Sequence, residues 1–204
     1  MTDEETVQGF VEYCESPHGK AVIDREASYI EDQLKNPDCV LEIGCGIGTL
    51  TNRLSAPVIG LDISQAMLDA AARRTDGQYV RGDAQRLPFA DDSFDAVVSV
   101  TTLEFVSDYA RALAEIERVV APAGTITILM LNQDSHYFTR RAADKDSYFA
   151  MAQHTPAAVE ARLKQSLDLT AEYFLGIDET DVFETTDPEW AAIRAFSGTV
   201  PANE

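Results

Sequence analysis

With 204 residues the chain is long enough for one domain with a full core and short for two. Its apolar residues, 45% of the total, come in runs separated by turn signals, so the composition excludes a disordered chain. A formal net charge of -19, from 35 acidic against 16 basic residues, gives a surface that repels phosphate backbones and anionic membranes, which argues against nucleic acid as a partner. Lysine is confined to Lys20, Lys35, Lys145 and Lys164. Such acidity with few lysines is the surface chemistry of proteins from salt-loving organisms, where salt screens self-repulsion, and a halophilic source is expected. No run approaches the roughly 20 apolar residues of a membrane span, and Met-Thr-Asp-Glu-Glu has neither part of a signal peptide. We therefore expect a cytoplasmic protein without a membrane span. Cys14, Cys39 and Cys45 lack the paired spacing of a zinc site, so neither a disulfide framework nor a metal is expected.

In chain order, the spacing of Ala21, Val22, Ile23, Ala27, Ile30 and Leu34 predicts one helix over 12–34, stopped by Pro37 and Asp38. Cys39 to Ile43 is a short apolar run ended by glycines, Thr49 to Leu54 can be helical, and Pro57 to Leu61 is a second run. Ser64 stands at an N-cap before the Met67, Leu68 and Ala71 face. Gln78 to Arg81 and Phe94 to Val100 read as the third and fourth strands. Ser107 or Asp108 caps a helix carrying Ala110, Leu113, Ile116 and Val120, and Pro122-Ala-Gly124 turns the chain into the strand Thr125 to Leu131. The pattern lapses over Asn132 to His154, Thr155-Pro156 opens another helix, and 167–177 and 191–200 are expected as the last strands. Nearly continuous apolar strands alternating with helices predict a doubly wound α/β fold around a parallel sheet.

The chemistry gathers at strand ends. Val40-Leu-Glu-Ile-Gly44-Cys-Gly46-Ile-Gly48 runs a buried strand into a turn with glycine at alternate positions, where the backbone can take φ > 0 and a ligand can approach the main chain. Glu42 is an acid in a buried strand, costly unless paired or hydrogen-bonded. Asp62 closes the second run where ribose hydroxyls are caught in this architecture, and Asp83-Ala84 follows the third, placed to read an adenine edge. Three acids at one edge of one sheet point to an adenine nucleoside. Thr49 stands where a dinucleotide fingerprint wants its third glycine, and no Gly-Lys-Ser/Thr follows, which disfavours nicotinamide and nucleotide phosphate.

Leu41-Glu-Ile-Gly-Cys-Gly-Ile-Gly-Thr, Gly60-Leu-Asp-Ile-Ser, Gly82-Asp-Ala-Gln-Arg-Leu-Pro-Phe, Asp92-Ser-Phe-Asp-Ala-Val-Val-Ser and Glu117-Arg-Val-Val-Ala-Pro-Ala-Gly resemble, in order, the motifs of class I SAM-dependent methyltransferases. The subgroup they resemble contains the ubiquinone/menaquinone-biosynthesis enzymes. The resemblance implies a Rossmann-like seven-stranded sheet with its last strand antiparallel, in a single domain over 1–204. Residues 1–36 would form a helical lid, 37–132 the cofactor-binding core, and 133–204 the acceptor-side loop and last strands. It also implies S-adenosyl-L-methionine as cofactor. Gly44, Gly46 and Gly48 would border its methionine part, with Glu42 orienting that loop and Cys45 filling a small-residue slot by packing. Asp62 would hold the ribose, Ile63 and Met67 would pack beside ribose and adenine, Asp83 and Ala84 would read the base, and Val100 and Thr101 would approach the methionine end.

Methyl transfer from a sulfonium needs positioning and water exclusion, and a general base only where the acceptor loses a proton. The candidates are Glu104, more simply a solvated residue at a helix entry; His136, more simply a surface-loop histidine; and Tyr13, which could cover the cofactor. Adjacent Arg140 and Arg141 could meet an anionic acceptor group, although a local salt bridge is simpler. The acceptor is expected to be a small molecule, quinone-like or phenolic by subgroup analogy. The sequence fixes neither its identity nor a monomeric or homodimeric state. A non-catalytic SAM-binding scaffold and an NAD-dependent oxidoreductase are the rival readings.

Overall fold

A computed structural model describes residues 3–145, 147–179 and 181–202. The elements are α1 (Asp3–Glu15), α2 (Pro17–Gln33), β1 (Val40–Ile43), β2 (Val58–Asp62), α3 (Gln65–Arg74), β3 (Gln78–Arg81), β4 (Phe94–Val100), α4 (Tyr109–Val119), β5 (Val120–Leu131), α5 (His136–Ala142), α6 (Pro156–Leu163), β6 (Asp168–Ile177), β7 (Val182–Phe183) and β8 (Ala191–Thr199). They build one sheet in the order β3-β2-β1-β4-β5-β8-β6-β7, with β1 to β5 parallel and β8 antiparallel to both β5 and β6. This is the expected doubly wound α/β architecture. The sheet has eight strands rather than seven, because the two-residue β7 pairs with the end of β6 at the sheet edge.

Side chains alternate across the sheet and make two apolar layers. Leu41, Ile43, Val97, Ile126 and Ile128 face α4 and α6, against Leu113, Ile116, Val159 and Leu163. Val40, Val98, Leu129 and Ile193 face the other way, against Val22, Ala27 and Ile30 of α2 and Tyr137 and Phe138 of α5. Glu42, two residues after Val40, therefore points to the α2 face.

Three local expectations are corrected. The predicted helix over 12–34 is two helices: Ser16 leaves helical geometry (φ -63°, ψ 154°), its hydroxyl accepts from Gly19 N, and Pro17 occupies the first turn of α2. Residues 49–53 are turns rather than helix, tied back by Asn52 and Arg53 side chains to the Gly48 and Thr49 carbonyls. Pro122 and Gly124 lie inside β5 rather than before it, at an irregularity where Phe94 pairs with Val120 and Ala96 with Thr125. Ser64, Asp108 and Thr155 cap α3, α4 and α6, each side chain accepting a backbone N–H of the first turn.

Candidate functional site

β1 leaves the sheet at Ile43, and Gly44, Gly46 and Gly48 all adopt positive φ (76°, 52° and 75°). A β-carbon on Gly44 would also collide with the Thr102 side chain, so this position is glycine for space as well as conformation. The turn is tied to β2, because Gly44 N and Cys45 N both donate to the Leu61 carbonyl, at 2.7 and 3.0 Å. Cys45 is buried and its Sγ lies against Gly60, the packing role expected of it.

Asp62, at the carboxyl end of β2, joins the two elements. Its Oδ2 accepts from Gly46 N at 2.9 Å and its Oδ1 from Ser64 N at 2.8 Å. Each oxygen keeps further acceptor capacity, so the pair can take hydroxyl donors from a ligand. Beyond it Ile63 is 64% exposed, an apolar side chain left in solvent beside the turn, while Met67 packs against the small cluster of Cys14, Ile23, Ile47 and Ala70. Asp83 accepts from Gln85 N and Ala84 is buried behind it. Val100 ends β4. Thr101 follows at φ 44°, its N–H donating to Leu129 O and its carbonyl accepting from the Tyr148 hydroxyl at 3.1 Å. The residues named as cofactor contacts thus lie in and beside the turns that leave the carboxyl ends of β1 to β4, where open α/β sheets bind ligands.

Three acids are buried beside this edge. Glu42 takes the Thr51 hydroxyl at 2.5 Å, and burial, with the Asp62 charge adding to it, pushes its carboxyl up to about 8. Glu26 on α2 is raised to about 8 by burial and then by the charges of Glu104 and Glu42. Glu104 is wholly buried, its Oε1 accepting from Leu131 N at 2.9 Å and its Oε2 meeting no partner; burial raises it to about 7. The solvated helix-entry reading of Glu104 is overturned, because the 3-10 turn Leu103–Phe105 folds its side chain under the end of β5. Among the described residues no salt bridge reaches Glu26, Glu42 or Glu104. The site therefore offers hydroxyl acceptors beside carboxyls that burial holds toward their neutral form, suited to a ligand that carries hydroxyls.

Of the weaker candidates, Tyr13 is brought close: burial of its hydroxyl, and then the neighbouring Tyr137 and Glu26 groups, push its ionisation upward. His136 is not brought to this group. It starts α5, exposed, with its ring 4.9 Å from that of Trp190. Arg140 pairs with Glu179 at 3.3 Å, whereas the Arg141 guanidinium lies 3.9 Å over the Tyr137 ring. Sequence reasoning missed four residues: Glu26, Tyr137, Tyr148 and Phe10, whose ring on α1 lies against Gly46. Only Glu26 left a signal, as a charged residue at helical spacing within the Val22, Ile23, Ala27, Ile30 stripe.

A family model described as a methyltransferase domain matches residues 41–128. The chain is 32% identical over 177 residues to the demethylmenaquinone methyltransferase of Staphylococcus aureus, covering 79% of this chain and 72% of that protein. The chain belongs to the class I SAM-dependent methyltransferases. This methyltransferase is also 38% identical over 117 residues to the demethylmenaquinone methyltransferase of Lactobacillus johnsonii, covering 51% of its own length and 48% of that protein. It spans about half the length of several of the curated relatives it matches. A Thermotoga maritima SAM-dependent methyltransferase, described as a possible histamine N-methyltransferase, shares the methyltransferase's fold with a TM-score of 0.81 at 23% identity, over 96% of each chain.

Proposed function

We propose that this protein binds S-adenosylmethionine at the carboxyl edge of β1 to β4 and moves its methyl group to a small-molecule acceptor, quinone-like or phenolic. The observation that carries this is the junction of the glycine turn with Asp62 at Gly46 N, set beside buried acids that no basic side chain pairs among the described residues. When bound, the cofactor supplies a methyl group on a positively charged sulfur and needs no further activation. Asp62 would hold the ribose hydroxyls and Asp83 with Ala84 the adenine edge. Gly44 to Gly48, Val100 and Thr101 would border the methionine end, and Glu42 would steady the glycine turn through Thr51. Phe10 and Tyr13 of α1 would cover that end and exclude water, the lid role proposed for residues 1–36. The names of the curated relatives support the quinone-like acceptor.

Release of S-adenosylhomocysteine by the purified protein, assayed with a panel of phenols and hydroquinones, tests the proposal. Cofactor-dependent release with at least one member is expected. Tight cofactor binding without release from any small acceptor would leave a binding protein and contradict the catalytic reading.

A further inference from the structure

Glu104 is the one carboxyl at this edge with an unpartnered oxygen buried among protein atoms in the described residues. Its placement is fixed from three sides. Oε1 is held by Leu131 N at the end of β5, and its backbone carbonyl accepts from Gln153 N and His154 N, at 2.7 and 3.3 Å, which closes the segment before α6 over it. The next residue, Phe105, stacks on Tyr148 with ring centroids 4.1 Å apart, and Tyr148 lies in turn against Phe149, itself in contact with Tyr137. The Tyr148 hydroxyl feels the charges of both Glu104 and Asp62, and it bonds to the Thr101 carbonyl. Tyr148 therefore lies near both Glu104 and the acid that would hold the ribose. The same place thus combines aromatic rings, against which a flat ring can pack, with a buried carboxyl oxygen that has no protein partner.

We propose that Glu104 is the catalytic base of the reaction, its Oε2 receiving the proton of an aromatic hydroxyl on a flat acceptor held against Phe105 and Tyr148. The inference rests on the methyl-transfer reading above and names the acceptor's chemistry. In the step, the acceptor O–H bond breaks and its proton goes to Oε2. The electron pair released forms the new bond to the methyl carbon, and the carbon–sulfur bond of the sulfonium breaks with its pair staying on sulfur. A cationic donor, an anionic carboxylate and a neutral acceptor become a neutral thioether, a protonated Glu104 and a neutral methylated product.

Among the described residues the Glu104 charge acts on Glu26 of α2 and on Tyr148, His154 reaches its carbonyl through the backbone N–H while its own ring meets the Val106 carbonyl, and no basic side chain forms an ion pair with Glu104. Burial holds its proton affinity near pH 7, where a base takes a proton at little cost and returns it to water.

The test compares the wild-type protein with Glu104→Gln, whose amide oxygen can keep the Leu131 N–H bond. Turnover is followed with 1,4-dihydroxynaphthalene and simple phenols across pH 5 to 9, cofactor affinity by calorimetry, and the ionisation of bound 4-nitrophenol by absorbance. Expected are a rate that rises through about pH 7 in the wild type, a loss of roughly 10²–10⁴-fold in kcat with that acid limb gone in the variant, and cofactor affinity changed less than about twofold. The bound nitrophenol should ionise about one unit or more higher in the wild type than in Glu104→Gln, the mark of two groups sharing a proton. Equal rates and equal nitrophenol titrations in both proteins would overturn the base. Turnover confined to amines, or cofactor binding with no turnover of any aromatic hydroxyl, would overturn the acceptor class. Failure of the wild type to bind the cofactor would instead strike the methyl-transfer reading itself.

Discussion

Glu26 sits in the buried stripe of α2 between Val22 and Ile30, on the face that meets Glu42, and the charges of Glu42 and Glu104 act on it while Tyr13, Tyr137 and Cys14 feel its own. Its carboxyl is held up at about 8 against 4.5 for an ordinary glutamate, by burial first. Between those two values the folded chain keeps a proton that the unfolded chain has released, so stability falls as pH rises across that window and is fully present below it. Glu26→Gln removes the effect. The thermal unfolding of ligand-free wild type should lose stability from pH 5 to 8 relative to the variant, by on the order of a few kcal/mol, and parallel pH curves for the two proteins would refute the assignment. Residues differed in how much of this the sequence exposed. Gly44 and Asp62 were readable because turn conformation and strand-end position follow from local pattern. Glu104 was misjudged because its burial depends on Leu131, 27 residues on, whose N–H it accepts. Tyr148 and Tyr137 come from the stretch without periodicity, and only the folded chain shows that their rings meet Phe105 and Phe149.

At the scale of elements, the break between α1 and α2 positions Phe10 against Gly46 and Tyr13 against Tyr137, so the cap at Ser16 governs the cover of the glycine turn. Ser16→Ala should cost about 1 kcal/mol, the usual worth of an N-cap hydroxyl, read as a lower urea midpoint with unchanged slope. An unchanged midpoint would mean that Pro17 alone sets the break. Ser-Pro is a helix-start signal, and it was overlooked because apolar spacing runs straight through it. The parallel strands were legible for the opposite reason: buried on both faces, they read as continuous apolar runs, and β1, β2 and β4 lie where those runs predict. β7 was not, since a two-residue strand has no period to detect and exists only through its pairing with Gly176 and Ile177.

Across the whole molecule, the parallel half of the sheet presents one carboxyl edge, and the glycine turn, Asp62, Asp83 and Thr101 arrive there from four different strands. The charge of -19 adds a field that favours a cationic ligand at that edge and disfavours polyanions anywhere. No described helix is long and apolar enough to cross a membrane. We propose that this edge binds S-adenosylmethionine through Asp62, and calorimetric titration of wild type and Asp62→Ala checks it. One cofactor site is expected, weakened by about 1.5 to 3 kcal/mol in the variant, the scale of hydrogen bonds to a charged group. Equal affinity in both proteins, or binding of NAD(H) with no response to S-adenosylmethionine, would contradict it.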